Sequence, residues 1–348
     1  MMDRWLGTVL WLWLISPAMA AGLDAASVNN AEYRSKALAD DKIEAAIVKA
    51  QVLLDRAQFS PGEIDGKLGE NAEKALRAFA EAKSLASDRP FTEEVWKKLV
   101  EGSPDPAIID YKISESDVKG PFLEKLSAKM EDMKTLNAIS YTSPREALAE
   151  KFHMSEGLLE ALNPGKKFDH AGETIAVANV GKKGSKLGVG RIKIDKTRQT
   201  LKVFGPSGEL IAFFPATVGS KEKPTPSGIL KVVSADANPN YRYNPDYQFK
   251  GVKSKETFTI KPGPNNPVGS YWIGLSAEGY GIHGTPNPSK VSKSESHAPL
   301  AENHRRPFGR SGRKRTYSSS ASARRAPDLF SDRSPSPRRK RSCRPVGW

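Results

Sequence analysis

The chain has 348 residues, of which 38% are hydrophobic; it carries a formal charge of +14 and one cysteine, Cys343. That length accommodates two or three domains. The lone thiol excludes an internal disulfide, no segment after the N-terminus is apolar enough to span a bilayer, and five histidines without ligand spacing or cysteine partners indicate no metal site.

The charge is unevenly placed. Residues 298–348 contain twelve Arg, two Lys and three acids, a net +11, which leaves only +3 for the first 297 residues. The body uses thirty-one Lys and nine Arg, so the choice of basic residue reverses at one point in the chain.

Arg4, the apolar run from Trp5 to Ile15 and then Ala18-Met19-Ala20 read as a signal peptide over residues 1–20. An uncleaved anchor is the alternative, but the run is too short to span comfortably. Export to the periplasm or cell envelope follows, with membrane contact only during export. Residues 21–41 are polar and read as a linker.

Over residues 42–102, Ile43, Ala46, Ile47, Ala50, Leu53, Leu54 and Ala57 recur at helical spacing. A glycine-rich turn follows at 60–69, then a helix with Ala75, Leu76, Phe79 and Ala80, and a third helix from Thr92 with Val95, Trp96 and Leu99. Residues 103–139, rich in lysine, read as a linker with one short helix. Residues 140–180 read as strand, helix, helix, strand, with Leu162-Asn163-Pro164-Gly165 stopping the second helix and Thr174 to Ala178 as the last strand. From Gly188 the period becomes two. Ile192, Ile194, Leu201 and Val203 alternate about a turn at 195–199, and Gly and Pro punctuate further short strands such as Leu210 to Phe214. The expected class is multidomain α + β: a three-helix N-terminal domain, a small α/β unit, a mainly-β domain over 188–297 and a disordered Arg/Ser/Pro-rich tail over 298–348.

Three resemblances attach to these segments. Phe59-x-Pro61-Gly62-x-Ile64-Asp65-Gly66-x-x-Gly69 followed by Lys74-Ala75-Leu76-x-x-Phe79 resembles the peptidoglycan-binding three-helix domain. Residues 140–180 resemble a LysM module, which implies binding to glycan containing N-acetylglucosamine. Arg191-Ile-x-Ile-Asp195, Val218-Gly219, Thr225-Pro226-x-Gly228, Asn266-Pro267-Val268-Gly269, Gly281-Ile282-His283-Gly284-Thr285 and Ser296-His297 stand in the order seen in L,D-transpeptidase (YkuD-like) catalytic domains.

That last resemblance implies cysteine acyl transfer. A thiolate attacks a tetrapeptide stem of peptidoglycan, and an acceptor amine resolves the acyl-enzyme into a crosslink. His283 would be the base, a carbonyl near Gly284 would fix its tautomer, and His297 would shape the pocket. Read alone, His283 is better taken as a hydrogen-bonded structural histidine. The implied partners are stem peptides and glycan; no cofactor, metal or specific nucleic acid is implied.

The pattern fails after His297. Where the family has Gly-Cys-apolar-Arg, the chain reads Ala298-Pro299-Leu300-Ala301. Pro299, at the cysteine's position, supplies neither nucleophile nor backbone N–H for an oxyanion. Cys343 lies forty-four residues further on, among arginines. The tail reads as out-of-frame or foreign coding sequence, with polyanion binding or electrostatic anchoring as alternatives. The expected function is that of an L,D-transpeptidase of cell-wall remodelling made inactive here, or else of a non-catalytic peptidoglycan-binding protein.

Overall fold

A computed structural model describes residues 22–35, 42–86, 88–181 and 188–293 and the short strand at 301–302. Residues 1–20, expected to be a signal peptide, and most of the basic tail lie outside these residues.

The N-terminal half is built on helices whose ends are set by local chemistry. α1 (Ala25–Asn29) is closed by a capping box between Asp24 and Ser27. α2 (Ala45–Arg56) and α3 (Glu70–Ala82) flank the glycine-rich turn, and α4 (Glu93–Glu101) starts where the Thr92 hydroxyl accepts from the Val95 N–H. Gln51, buried on α2, fastens the turn: its side-chain oxygen accepts from the Asp65 and Gly66 N–H groups and its amide donates to Asp65 Oδ1. Leu53, Leu54, Leu76, Phe79, Val95 and Leu99 form the core. One difference from the expected linker at 21–41 is α1 itself, whose Val28 is fully buried against Val48, Val52 and Ile108.

The second unit pairs β1 (Ile108–Lys112) with β2 (Thr174–Ala178), antiparallel, around α7 (Pro144–Lys151) and α8 (Glu156–Leu162). α5 (Glu115–Val118) and α6 (Met130–Met133) lie between β1 and α7. The partner of β2 therefore comes from the stretch expected to be a linker, not from the neighbourhood of residue 140. β1 is short and its burial does not follow a simple alternation: Ile108 is buried, while Ile109, Asp110 and Lys112 are exposed. Asn163 ties the unit together, with its amide donating to the Leu159 and Ala176 carbonyls and its oxygen accepting from the Ala176 N–H.

The rest of that stretch is a strap. Leu126, Met130, Met133, Leu136 and Ile139 pack on Tyr241, Tyr243, Phe249 and Ile260. These last belong to a hairpin of β7 (Tyr241–Tyr243) and β8 (Phe258–Ile260). Glu131 accepts from the Lys253 and Ser254 N–H groups.

The third unit is a seven-stranded sheet of β3 (Arg191–Asp195), β4 (Thr200–Phe204), β5 (Leu210–Thr217), β6 (Val232–Ala237), β9 (Tyr271–Leu275), β10 (Gly281–His283) and β11 (Ala301–Glu302). Its order is β3-β4-β5-β11-β10-β9-β6. Two residues of β11 bridge the sheet's middle: Ala301 pairs in parallel with His283 and antiparallel with Thr217. At the β6 edge nearly the whole strand is exposed, Val233 at 65%.

β5 is buried on both faces. Ala212, Phe214 and Ala216 face the sheet core, while Phe213, 1% exposed, enters the helical core. The Phe213 N–H donates to the Gln58 carbonyl at 3.0 Å, and its carbonyl accepts from the Ser60 N–H at 2.8 Å. An unalternated apolar run is what two-sided burial demands. Phe213→Ala should cost about 3–5 kcal/mol. Because that ring fills the helical core, urea melts followed by helix ellipticity and by tryptophan fluorescence should shift together; separate transitions would show the units to be independent.

Candidate active site

β10 carries His283, 2% exposed, into the sheet's middle. Its Nδ1 lies 2.6 Å from the Gly284 carbonyl. A carbonyl only accepts, so Nδ1 bears the hydrogen, and the lone pair of the neutral ring is on Nε2. Trp272 is the register partner of His283 on β9, and the two rings stack 5.5 Å apart at 14°. A Cβ on Gly281 would strike the Trp272 ring at 2.4 Å, so that glycine lets the indole lie flat against the strand.

The Asn266-Pro267-Val268-Gly269 motif forms the floor beneath this corner. Asn266 is buried; it donates to the Lys261 carbonyl at 2.8 Å and accepts from the Val268 N–H at 3.0 Å. Gly269, at φ 64°, passes so close to Gly284 that a Cβ would sit 2.8 Å from its backbone. Thr225 of the Thr-Pro motif accepts from the Gly219 N–H at 2.8 Å. These motif residues thus shape the loops around the histidine.

After Thr285 the chain turns through a 3-10 helix at Pro288–Lys290 and is anchored at Ser292. The Ser292 N–H donates to Thr217 Oγ1 at 3.0 Å and its hydroxyl to the Gln199 carbonyl at 3.0 Å. His283 is thus joined to the Gly284 carbonyl through Nδ1. His297, Pro299 and Cys343 lie outside the described residues. Among the described residues no cluster of three or more His, Cys, Asp or Glu has the geometry to hold a metal ion, and no helix is long and apolar enough to cross a membrane.

Sequence reasoning missed two features. One is Trp272, whose placement opposite His283 depends on register. The other is a water-sized cavity of about 40 Å3 where the three units meet, lined by Asp55 and Glu63, by Glu150 and His153, and by Gly284 and Thr285. His153 Nδ1 lies 3.0 Å from Asp55 Oδ2. Burial pushes the Glu63 carboxyl up to about 7; Asp65 pushes the same way and Lys293 opposes them.

Residues 190–300 match the family model of YkuD, the L,D-transpeptidase catalytic domain. The match spans about a third of the chain and includes His283, His297 and Pro299. A candidate L,D-transpeptidase, YkuD of Bacillus licheniformis, is 27% identical over 153 residues, 43% of this chain and 76% of the relative. YkuD of Bacillus subtilis is 52% identical over 33 residues, 10% of this chain and 20% of that protein. Among solved structures, an L,D-transpeptidase from Mycobacterium smegmatis aligns at TM-score 0.30 and 14% identity, over 43% of this chain and 64% of its own. The catalytic domain of the Enterococcus faecium L,D-transpeptidase aligns at 0.27 and 15%, over 39% and 99%. At such scores the likeness in shape adds no weight to the sequence match. In the YkuD-like segment, the conformation at His283 and Gly284 is the structural counterpart of the Gly-Ile-His-Gly-Thr string.

Glu63 gives this region a pH signature. Its carboxyl keeps a proton that the unfolded chain releases near 4.5. Between pH 4.5 and 7 the folded state binds more protons, so stability falls as pH rises through that window and is level above it. Glu63→Gln should remove this component, worth up to about 3 kcal/mol, and be the more stable protein at pH 8. Urea midpoints of both proteins at pH 5 and pH 8 measure it; equal slopes would contradict it.

Proposed function

We propose that this chain is a peptidoglycan L,D-transpeptidase in descent and catalytically silent as it stands. The observation that carries the reading is the contact of His283 Nδ1 with the Gly284 carbonyl, which in the neutral ring puts the basic lone pair on Nε2, in a segment that matches the YkuD family. Such a histidine is poised to take a thiol proton, and the thiolate would then attack the stem-peptide carbonyl. The sequence has Pro299 at the thiol's position, so the proton, the attacking sulfur and one oxyanion N–H are lost together. Export to the periplasm or cell envelope by residues 1–20, and a foreign origin for residues 298–348, belong to the same reading.

A second reading, a non-catalytic peptidoglycan-binding protein, draws support from a groove of about 700 Å3 beside α7. Half-buried Phe122, Tyr141 and Phe152 line it. Its charges are paired, Lys151 with Asp117 at 2.7 Å. Apolar rings beside a neutralised ion pair suit the faces of an uncharged sugar better than an ion. Under this reading, residues 140–180 would grip wall glycan while the YkuD-like segment does no chemistry.

The full chain incubated with a carbapenem or a tetrapeptide stem should keep its intact mass, and Cys343→Ser should behave identically. An adduct on either protein overturns the silent-enzyme reading: one retained in the variant points to a nucleophile other than sulfur, one lost from it points to Cys343. Cosedimentation of the full chain with purified sacculi, without an adduct, is the outcome expected of the binding reading.

A further inference from the structure

The segment 284–293, which joins the two halves of the histidine motif, has little structure of its own. It contains one 3-10 turn and a left-handed Ser292, at φ 62°. Its internal bonds are short-range, such as Asn287 N–H to Thr285 Oγ1 and Val291 N–H to the Pro288 carbonyl, so contacts from outside fix where it lies. The sheet supplies some of them through Thr217 and Gln199. The helical unit supplies another, through Asn71.

Asn71 occupies the second position of α3. It does not cap that helix, whose N-cap is Gly69, and asparagine is a poor helix former there. Its amide instead reaches across 220 positions of sequence and donates to the carbonyl of buried Val291 at 3.0 Å. Ser60, Gly62 and Glu63, from the turn before α3, form one wall of the junction cavity; Gly284, Thr285 and Pro288 form the facing wall.

The same turn leaves little of itself to a ligand. Phe59, Ser60 and Ile64 are buried. Ser60 is bonded to β5, the Ile64 N–H donates to the His153 carbonyl at 2.9 Å, and the Ile64 carbonyl accepts from the Ser155 N–H at 3.0 Å. The residues that make this turn resemble a glycan-binding motif are used for docking within the chain.

We propose that the helical unit is an internal clamp on the site, with Asn71 as the positioning residue that holds segment 284–293 beside His283. The α2–α3 turn faces the segment's start across the junction cavity, and Asn71 pins its end. Any partner that tilts the helical unit therefore moves the Gly284 carbonyl that sets the His283 tautomer. The proposal goes beyond the silent-enzyme reading and needs no turnover; an acyl adduct would sink that reading and leave the clamp standing.

Amide exchange and histidine NMR on the full chain test it. In Asn71→Leu, protection of the amides at 287 and 289–293 should fall about fivefold or more, the scale of one lost neutral hydrogen bond. The His283 ring resonances should shift, while protection in the β3–β4 hairpin stays as in the unaltered chain. Asn71→Asp keeps the shape but can donate only when protonated. Protection of its 287 and 289–293 amides should be low at pH 7.5 and rise toward the unaltered chain's value at pH 3, measured against that chain at each pH. Loss of protection spread evenly over the molecule, an unmoved His283 signal, or no recovery of Asn71→Asp in acid would each overturn the proposal. Should Asn71→Leu fail to fold, the pH response of Asn71→Asp decides alone.

Discussion

Everything in this molecule is arranged around a strand with two buried faces. β5 gives Ala212, Phe214 and Ala216 to the sheet and Phe213 to the helices, and its backbone bonds to Gln58 and Ser60 on one stretch and to β11 on the next. A strand used in this way has no solvent side, so neither unit can leave it without exposing the other's core. The helical unit is thereby fixed against the sheet, and its turn comes to face the loop that follows His283.

The site inherits its geometry from that arrangement. The left-handed Gly269 lets the floor rise under Gly284, Gly281 lets Trp272 lie against His283, and the Gly284 carbonyl settles which ring nitrogen holds the hydrogen. The motif residues shared with L,D-transpeptidases are mostly glycines, prolines and small polar groups because their work is to bring backbone close to backbone. The chemistry would rest on one imidazole and one sulfur, and the sequence retains the imidazole.

Much of this was legible in the residues, for reasons that differ from place to place. The helix start at Thr92 could be read because a capping hydroxyl acts within three residues of itself. The hairpin around residues 195–199 could be read because alternation and turn chemistry agree there. His283 was legible as a candidate only through the string around it. β1 was not, because it is five residues long, mostly exposed, and its partner is more than sixty positions away. The strap at 122–139 looked like a lysine-rich linker because its apolar residues answer to a hairpin some 120 residues downstream. Phe213 read as an ordinary strand residue, since nothing local says which of two cores a phenylalanine enters. Asn71 is the extreme case: one polar residue on a helix whose partner carbonyl is 220 residues distant.

The structure shows a well-formed histidine corner, and under the proposed reading the sequence lacks the sulfur that would serve it. Release of the terminal D-residue from a tetrapeptide stem, followed over hours with the full chain, tests that pairing most directly. The account predicts no release above buffer, in the unaltered chain and in Cys343→Ser alike. Sustained release that disappears in His283→Ala would contradict it, for the imidazole would then be working with a nucleophile that the sequence does not place there.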